Sequence, residues 1–412
     1  MKRSPLFIIF CVVFLDLLGF GIVIPQLAIY AHQFGASGFV VGVLGSAYSA
    51  MQFLFAPLLG RLSDRVGRRP VIVLSLAGSV MGYLVFGLAT TLVWLFVGRL
   101  AQGVCGANIA TAQAYIADVT PPEKRARNLG MYLGAAFGLG FIFGPALGGL
   151  LARYGNLGLG AVAAGMSLCG LLLALWRLPE SLPPEARTPR ARTAHFRGLG
   201  AVLRLPGVAR AVAVFGLATL GFSMMEGVFS LYVLVRFFGG DARTQAQVSK
   251  VHSVAARAGF WTAALFVTIG VVSTLVQGGL IGRLRARFGE PKLVVMGVGT
   301  MAVALALVCG VTRLAWLFPA MGLLALGQGL NTPSLSSLLT QLAPAAQVGE
   351  VLGVYQSMGS LSRSVGPALG GLVFELWGHT LPFAAAAGLL ALAAGLALGL
   401  RDMLTNEGAA PA

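Results

Sequence analysis

The stretch Gly60-Arg-Leu-Ser-Asp-Arg-Val-Gly67 is matched 222 residues later by the degenerate copy Gly282-Arg-Leu-Arg-Ala-Arg-Phe-Gly289. Three further pairs keep this offset: LVWLF from Leu92 and LAWLF from Leu314, GPALGG from Gly144 and again from Gly366, and Pro122 with Pro344. One short repeat can arise by chance in a chain rich in Gly, Ala and Leu, but four at a single offset indicate an internal duplication. The fold is therefore expected to consist of two related halves.

The composition indicates that most of these residues are surrounded by a lipid bilayer. Hydrophobic residues make up 57% of the 412 residues, charged residues only 10%, and the mean hydropathy is +0.85. A soluble domain has about 25% charged residues. Inside a bilayer every backbone polar group must be paired within the protein, so a helix bundle or a closed barrel is required. The apolar runs do not alternate and extend for about 20 residues, which favours helices.

Twelve apolar segments are long enough to span a membrane, and we expect an all-α membrane protein. They are residues 5–30, 39–60, 71–90, 92–117, 126–152, 157–178, 210–237, 257–283, 291–311, 314–343, 348–376 and 381–401. The predicted domains are a six-helix bundle at 1–178, a Pro- and Arg-rich cytoplasmic linker at 179–209, a second six-helix bundle at 210–402 and a tail at 403–412. Because six is an even number, the two halves have the same orientation, as in transporters with parallel repeats and a site between them.

Lys and Arg are distributed unevenly over the predicted loops. With both termini on the cytoplasmic side, 21 of the 29 Lys and Arg residues are cytoplasmic, six are outside, and Arg99 and Arg363 fall within spans. Membrane proteins concentrate positive residues on the cytoplasmic side. The formal net charge of +16 therefore indicates topology and contact with anionic lipid, not nucleic-acid binding.

The loop predicted after the second span combines glycines, arginines and one carboxylate. Gly60 and Gly67 would permit a tight turn, and Asp64 could approach a helix N-terminus or pair with an arginine. In the second copy Ala286 replaces Asp64, so only the first copy is expected to form a charge latch. The predicted latch residues are Gly60, Asp64, Arg65, Gly67, Arg68 and Arg69. The alternative is a basic loop that only fixes topology.

Two acidic residues lie near the middle of predicted spans, Asp16 in the first and Glu226 in the seventh. A carboxyl group in an apolar cavity can take up and release a proton, as coupled transport requires. We expect Asp16 and Glu226, together with Arg99, to couple transport to protons. The alternative for each acid is a structural hydrogen bond to a neighbouring helix.

The fourth predicted span carries a polar stripe. On a continuous helix of about 100° per residue, its members fall within about 60° of one another; they are Arg99, Gln102, Gly106 and Gln113. An arginine inside a membrane costs about 2.5–3.5 kcal/mol on insertion scales, so Arg99 is expected to face a water-filled cavity or an acid. The alternative is that Arg99 extends to the membrane interface.

Other polar and aromatic side chains could contact a substrate. In the eleventh span Gln356, Ser360 and Arg363 share one helix face, and Arg363 could bind an anionic substrate or pair with an acid. The predicted substrate-binding residues are Gln26, Gln102, Gln113, Phe222, Met225, Gln328, Asn331, Gln356 and Arg363.

These motifs resemble those of the major facilitator superfamily. The loop from Gly60 to Pro70, with the six-plus-six repeat, is similar to that superfamily's loop signature. Three stretches resemble its twelve-span drug:proton antiporters: DLLGFGIVIP from Asp16, RLAQG from Arg99 and GFIFGPALGG from Gly140. The run AYIADVTPPEKRARNLG before the fifth span is similar to the tetracycline-efflux branch.

The resemblance implies roles for some residues and raises differences at others. It implies a gating or sealing role for the antiporter-motif residues Gly140, Gly144, Pro145, Gly148 and Gly149. The tetracycline branch carries an acid in the third span where this chain has Gly82, and its histidine in the eighth span and acid in the ninth have no match. Those differences put tetracycline as the substrate, and that branch's proton route, in doubt.

The expected function is proton-coupled efflux of a small amphipathic, drug-like molecule by alternating access. The alternatives are proton symport of a metabolite or sugar, and a non-transporting receptor or scaffold on the same fold. We expect no enzyme activity, no metal site and no cofactor besides the proton gradient, because the motifs for nucleophile and metal chemistry are absent. The expected partners are the substrate, protons and membrane lipid, for a monomeric multi-pass protein of a prokaryotic inner membrane.

Overall fold

The computed structural model describes residues 4–106, 108–121, 124–125, 128–183, 185, 204–205, 207–239, 248–343 and 348–407. Within these residues all regular secondary structure is helical, so the all-α prediction is confirmed. The helices are α1 (Pro5–Gln33), α2 (Gly38–Val66), α3 (Arg68–Gly87), α4 (Leu92–Val104), α5 (Asn108–Asp118), α6 (Gly134–Leu151), α7 (Gly155–Arg177), α8 (Val208–Phe238), α9 (Val248–Leu275), α10 (Ile281–Phe288), α11 (Glu290–Cys309), α12 (Leu317–Leu342), α13 (Val348–Trp377) and α14 (Leu381–Glu407).

Several sequence predictions fall on residues outside this description. They are most of the linker at 179–209, residues 408–412 of the predicted tail, and the repeat partners Pro122 and Pro344. The predicted domain boundaries stay a prediction.

Ten helical segments of the described chain are long and apolar enough to cross a membrane. One of them, Met131–Arg177, has 47 residues and contains both α6 and α7, joined by a 3₁₀ turn at Ala152–Tyr154. A single span needs about 20 residues, so this segment is long enough for two. Helix α13 is not among the ten. The count of twelve spans and the cytoplasmic position of both termini therefore stay predictions.

Local sequence signals explain where helices begin. Pro5 stands at the first turn of α1, where its missing N–H is not needed. The Ser37 hydroxyl accepts a hydrogen bond from the Val40 N–H (3.4 Å) at the start of α2. Gly67 has φ +111° between α2 and α3, and Gly289 has φ +73° between α10 and α11. Both positions need the left-handed region that favours glycine.

The segment predicted at residues 92–117 is one candidate span, Leu92–Asp118, and it contains two helices, α4 and α5. Helix α4 ends at Val104, Gly106 lies outside any helix, and α5 begins at Asn108. The Gly106 N–H turns back to the Gly103 carbonyl oxygen (3.1 Å). Glycine inside a helix costs about 1 kcal/mol relative to alanine, and Gly103 and Gly106 both stand at this interruption.

The described residues form two compact units, which divide the chain at 191/192, 228/229 and 267/268. The first unit contains α1–α7, the second part of α8 and the first part of α9. The second contains the remainder of α8 and α9 and all of α10–α14. Helices α8 and α9 thus contribute to both units.

In the first unit, glycines let helix backbones approach closely. A Cβ atom added at Gly144 of α6 would lie 2.7 Å from the Cα of Gly21 in α1. A Cβ added at Gly160 of α7 would lie 2.3 Å from the Cα of Gly87 in α3. Close packing through small residues is a principal attraction between helices in a membrane.

In the second unit, the second GPALGG stretch is used in the same way as the first. Its Gly366 and Gly370 pack on α8, where added Cβ atoms would lie 2.0 Å from the Ser223 Oγ and 2.3 Å from the Met224 carbonyl oxygen. The first copy packs on α1, and α1 and α8 are the first helices of the predicted halves. The duplication therefore preserves a packing contact as well as a sequence motif.

Helix α7 offers a matched pair of glycines that tests this packing. Gly160→Ala places a methyl group 2.3 Å from the Gly87 backbone, and overpacking of this kind costs about 1–3 kcal/mol. Gly165 has nothing within 4 Å of an added Cβ, so Gly165→Ala is the control. We expect the purified Gly160→Ala variant to melt several degrees lower in detergent, measured by loss of the monodisperse chromatography peak, while Gly165→Ala melts as the parent does. Equal melting temperatures would show that the α3–α7 approach is not as close as described.

Candidate functional site

Asp16 lies on α1 and points into the interior of the first unit. The Asn108 Nδ2 donates to its Oδ2 (3.0 Å) and the Ser167 Oγ donates to its Oδ1 (3.1 Å). The Ser79 hydroxyl is hydrogen-bonded to it as well. These partners come from α5, α7 and α3, so Asp16 joins four helices. Sequence reasoning missed all three partners, although each is a polar residue within an apolar run.

Arg99 is buried, with 5% of its surface exposed, near the end of α4. Its guanidinium lies 4.7 Å from the ring centroid of Tyr48 and 5.8 Å from that of Phe20. Its Nη1 donates to the Gln102 Oε1 (3.2 Å). A guanidinium over an aromatic face gains electrostatic attraction. Arg99 is therefore enclosed by α1 and α2.

The predicted polar stripe does not continue beyond α4. Arg99 and Gln102 are buried, but Gln113, on α5, is exposed. A constant rotation of about 100° per residue requires an unbroken helix, and the helix is interrupted before Asn108. The prediction that Gln113 shares a face with Arg99 is therefore wrong.

The Gln102 side chain packs directly against Gly82 of α3, where a larger residue would need the same space. A Cβ added at Gly82 would lie 2.2 Å from the Gln102 Cγ. An acid at position 82 and the present position of Gln102 would thus exclude each other.

Arg68 is the centre of the predicted latch. Its Nη1 donates to the Asp64 Oδ1 (2.6 Å) and to the Ser63 Oγ (2.7 Å), and its Nε donates to the Asp118 Oδ2 (3.1 Å). The planar guanidinium can serve two carboxylates at once, which an ammonium group cannot do in the same geometry. Asp118, at the end of α5, was not predicted.

A second missed carboxylate, Glu180, caps the start of α3. Its Oε1 accepts from the Arg68 backbone N–H (2.8 Å) and its Oε2 accepts from the Arg69 backbone N–H (3.2 Å). The Ser181 Oγ donates to the Asp118 Oδ2 (3.0 Å). The first residues of the connector after α7 are thus bonded directly to the latch.

Four of the six predicted latch residues meet here: Asp64, Gly67, Arg68 and Arg69. Gly60 lies inside α2, which extends to Val66, so the prediction that Gly60 belongs to a turn is wrong. Arg65 is exposed, and no described contact connects it to this group. Only Gly67 makes the turn.

The second copy of the loop, around Gly289, also contains an ion pair. Here the arginine precedes the glycine and the acid follows it, whereas around Gly67 the acid precedes and the arginine follows. The Arg285 guanidinium pairs with Glu290, and the Gln341 Nε2 donates to the Glu290 Oε1 (2.9 Å). The sequence comparison did not predict this ion pair, because it compared position 286 with Asp64, whereas the acid of the second copy follows Gly289. That only the first copy forms a latch stays a prediction.

The glycines of the predicted antiporter motif lie on the faces of α6 that pack against other helices. A Cβ atom added at Gly140 would lie 2.9 Å from the Leu17 Cβ, and one at Gly144 would lie 2.7 Å from the Gly21 Cα. A Cβ added at Gly148 would lie 2.5 Å from the Ile22 carbonyl oxygen, and one at Gly149 would lie 2.6 Å from the Ala263 Cβ. Pro145 is buried inside the helix. Three of these glycines face α1, and Gly149 faces α9 within the same unit.

Gln26 belongs to this packed region. Its Nε2 donates to the Gly259 carbonyl oxygen on α9 (3.2 Å), and only 1% of its surface is exposed. In this structure its amide joins two helices.

Glu226 and the predicted residues of the second unit are distributed over α8, α12 and α13. Glu226, Phe222, Gln328 and Arg363 are partly buried, Met225 and Asn331 are buried, and Gln356 is exposed. The Arg363 Nη2 donates to the Ser360 Oγ (3.3 Å). Nearby on α13, Tyr355 stacks on Phe215 of α8 with ring centroids 3.7 Å apart. Ser360 and Arg363 are hydrogen-bonded neighbours, and Gln356 lies two turns before Arg363 on the same continuous helix, where it is more exposed.

Among the described residues, no three His, Cys, Asp or Glu side chains come together in a way that could hold a metal ion. Carboxylates, amides, hydroxyls and arginines are the polar groups around Asp16, Arg99 and Arg363. Such groups can bind organic molecules or exchange protons.

Several known proteins are similar to this chain in sequence and in fold. The family model of the Major Facilitator Superfamily matches residues 9–284 and 257–409. The tetracycline resistance protein, class D, of Salmonella ordonez is 31% identical over 376 residues, which are 90% of each chain. Multidrug resistance protein 2 of Bacillus subtilis (strain 168) is 28% identical over 418 residues, covering 99% of this chain and 98% of the relative.

A solved structure agrees with these matches. The crystal structure of the human organic anion transporter MFSD10 (TETRAN) superposes with a TM-score of 0.70 and 26% identity, over 96% of this chain and 99% of that chain. The resemblance inferred from the loop, span and repeat motifs is confirmed. With its membrane-spanning helices, this chain is a multi-pass transporter and not an enzyme, and it belongs to the major facilitator superfamily.

Proposed function

We propose that this chain exports an amphipathic, drug-like molecule across the inner membrane in exchange for protons, by alternating access. The position of Asp16 carries the proposal: a carboxylate inside the first bundle, bonded to helices on three sides. A proton bound there removes a charge that several helices share. Relatives named as tetracycline and multidrug resistance proteins, similar over about nine tenths or more of the chain, support drug efflux.

The proton gradient supplies enough free energy for such a cycle. One charge moved across 100 mV gains about 2.3 kcal/mol. Asp16 and Glu226 lie in different units, so we propose that protonation of either one changes the relative stability of the inward- and outward-facing states. Arg99 tunes this exchange from within the first unit. Both termini lie in the cytoplasm.

The substrate is proposed to carry an aromatic group. Arg99, Tyr48 and Phe20 combine a positive charge with aromatic surface. This combination also suits an organic anion, the substrate class named for the human relative, so an anionic drug is the second candidate. Tetracycline is a less fitting substrate, because the branch that these motifs resemble carries an acid in the third span, whereas this chain has Gly82 with Gln102 packed against it.

Two other functions make different predictions. A proton symporter moves its substrate in the same direction as protons, and a receptor or scaffold moves neither. The packed glycines of α6 favour export, since they belong to the motif that resembles the antiporters'.

Transport by everted membrane vesicles separates these functions. With the vesicle interior acidified by respiration, we expect added substrate to enter and protons to leave, so a pH-sensitive dye inside reports alkalinisation. The panel contains ethidium, tetracycline and an anionic fluorescent dye. Asp16→Asn should strongly reduce both substrate entry and the dye signal, because no proton can be exchanged at a neutral amide and only Glu226 then responds to the proton gradient. Proton movement with the opposite sign would indicate symport, and no movement with any of the compounds would contradict the transport proposal.

The latch around Arg68 is proposed to stabilise one state of the cycle. Glu180→Ala removes the acceptor of two backbone N–H groups at the start of α3. A hydrogen bond to a charged group is worth about 1.5–3 kcal/mol, so amide exchange in the segment 67–71 should become at least about tenfold faster. Hydrogen–deuterium exchange with mass spectrometry measures this, and substrate uptake into vesicles should fall in parallel.

The control is Glu185→Ala, which removes the same charge from an exposed residue five positions later. Its exchange in segment 67–71 and its transport should match those of the parent. If both variants behave alike, the effect of Glu180 is one of net charge and not of helix capping.

A further inference from the structure

We propose that α8 and α13 form a binding site for the carboxylate group of an aromatic organic acid, and that such an acid is the exported substrate. The polar groups of the site are the Arg363 guanidinium and the hydroxyls of Ser360 and Tyr355, and the ring of Phe215 provides its apolar side. All four residues belong to the second unit. The proposal rests on the proposed function and narrows it, because it names the chemical class of the transported molecule.

The Tyr355 hydroxyl is a buried polar group without a hydrogen-bond partner in the described part of the chain. Only 4% of the surface of Tyr355 is exposed. A buried hydroxyl without a partner is rare and costs free energy, and phenylalanine would keep the apolar contacts of the ring without that cost. The hydroxyl can therefore serve as a donor to a group that a ligand brings.

The ring of Tyr355 is held in place by an aromatic neighbour. It stacks on the ring of Phe215 of α8, with ring centroids 3.7 Å apart and an interplanar angle of 23°. Phe215 is itself buried and packs against Gly359, where an added Cβ would lie 2.8 Å from its Cε1. Stacked rings attract each other beyond the area that they bury. This stacking fixes the direction in which the Tyr355 hydroxyl points.

Arg363 lies next to this aromatic pair. A Cβ atom added at Gly359 would lie 3.3 Å from the Arg363 Nη1, in addition to its contact with the Phe215 ring. The charge of Arg363 also acts on Tyr355 electrostatically. A side chain at position 359 would need the space between these groups. Glycine at this position thus allows a guanidinium and two aromatic rings to meet on one side of α13.

The donors around Arg363 suit a carboxylate. The guanidinium has five N–H donors in a planar fork that matches the two oxygens of a carboxylate. One of these donors, on Nη2, is directed to the Ser360 Oγ (3.3 Å). A serine hydroxyl can accept one hydrogen bond and donate another. Arg363, Ser360 and Tyr355 can therefore all donate to one anion.

One face of α13 packs on α8, and the neighbouring face is open. On the packed face the Ser362 Oγ donates to the Gly216 carbonyl oxygen of α8 (2.9 Å). On the neighbouring face Gln356 is exposed and Arg363 is partly exposed. Lipid tails cannot solvate an arginine or an amide, so such groups within a predicted span face a water-filled space or other helices. A ligand can therefore reach Arg363 from the side of Gln356.

These groups determine which ligand chemistry fits. An arginine can bind a carboxylate through two parallel hydrogen bonds, and hydrogen bonds between charged partners are about twice as strong as those between neutral ones. The rings of Phe215 and Tyr355 add aromatic surface, against which another ring can pack edge-on or offset. The site therefore favours an aromatic acid over the corresponding amide, which has nearly the same shape but no charge.

Ligand binding by the purified protein in lipid nanodiscs tests the site without a proton gradient. The probes are dansylglycine, naphthoic acid and biphenylcarboxylic acid, each compared with its own primary amide by equilibrium dialysis against empty nanodiscs. We expect the protein to bind at least one acid about tenfold more tightly than its amide, because only the acid carries a charge that Arg363 can pair with. Equal affinities in every pair, or no binding of any acid, would overturn the proposal.

Two substitutions remove single donors from the site. Arg363→Gln should weaken binding of the acid about tenfold or more and change binding of the amide by less than about twofold, because it removes the charge. Tyr355→Phe should weaken binding of the acid about fivefold, since it removes one neutral donor. Ser364→Ala is the matched control: the Ser364 hydroxyl donates to the Ser360 carbonyl oxygen within the same helix (2.8 Å), and this variant should bind the acid as the parent does.

Thermal melting without ligand separates a binding role of Tyr355 from a structural one. Since its hydroxyl has no partner among the described residues, Tyr355→Phe should melt no lower than the parent protein. A lower melting temperature would show that the hydroxyl stabilises the fold, and would overturn its assignment to the ligand. If Arg363→Gln does not give a monodisperse protein, Arg363→Lys keeps the charge but loses the planar fork. Unchanged binding of the acid by Arg363→Lys would overturn the carboxylate site.

Binding and transport together distinguish this site from the proposed function. Selective binding of the acid, without proton-coupled entry of the acid into everted vesicles, would support the site and contradict proton-coupled export. Proton-coupled transport in which Arg363→Gln slows the entry of acid and amide equally would support the proposed function and overturn the site.

Discussion

The lack of water inside a bilayer is the constraint on which the polar architecture of this protein depends. A charged or polar group in a span must find a partner within the protein or leave the span. Asp16 meets this requirement with donors from α3, α5 and α7, and the Gly106 carbonyl oxygen meets it with Gln52. Intramembrane polar groups here therefore connect helices, and a change of charge at one of them affects several helices at once.

Such connections require helix backbones to lie close together, and glycine makes this possible. Gly21 and Gly144 bring α1 and α6 together beside Asp16, and Gly103 lets α4 approach the Tyr48 backbone, where an added Cβ would lie 2.5 Å from its carbonyl oxygen. In lipid no hydrophobic effect drives helices together, and small residues allow the close van der Waals packing that does so instead. The packing that holds the first unit together thus also places the partners of Asp16 and Arg99 within hydrogen-bond distance or ring contact.

The sequence predicted the features that depend on neighbouring residues. Apolar run length located the helices, and the repeat of GPALGG located two equivalent packing contacts. The interruption before Asn108 was missed because helical periodicity assumes a continuous helix. The partners of Asp16 and the capping of α3 by Glu180 join residues about 60 to 150 positions apart, and no local pattern encodes such contacts. The Arg285–Glu290 pair was missed because the comparison of the two repeats looked for an acid only at position 286, which corresponds to Asp64.

The reversed polarity of the two copies has a physical reason in the helix dipole. Gly67 and Gly289 both have positive φ, with ψ 163° and 161°, and each precedes a helix. The helix after Gly289 begins with Glu290, a carboxylate where the dipole favours one. The helix after Gly67 begins with Arg68 and Arg69 and has no acid in its first turn, so the first copy needs a carboxylate from elsewhere. Glu180 supplies it from the connector, which is how the end of the first bundle comes to be bonded to the latch.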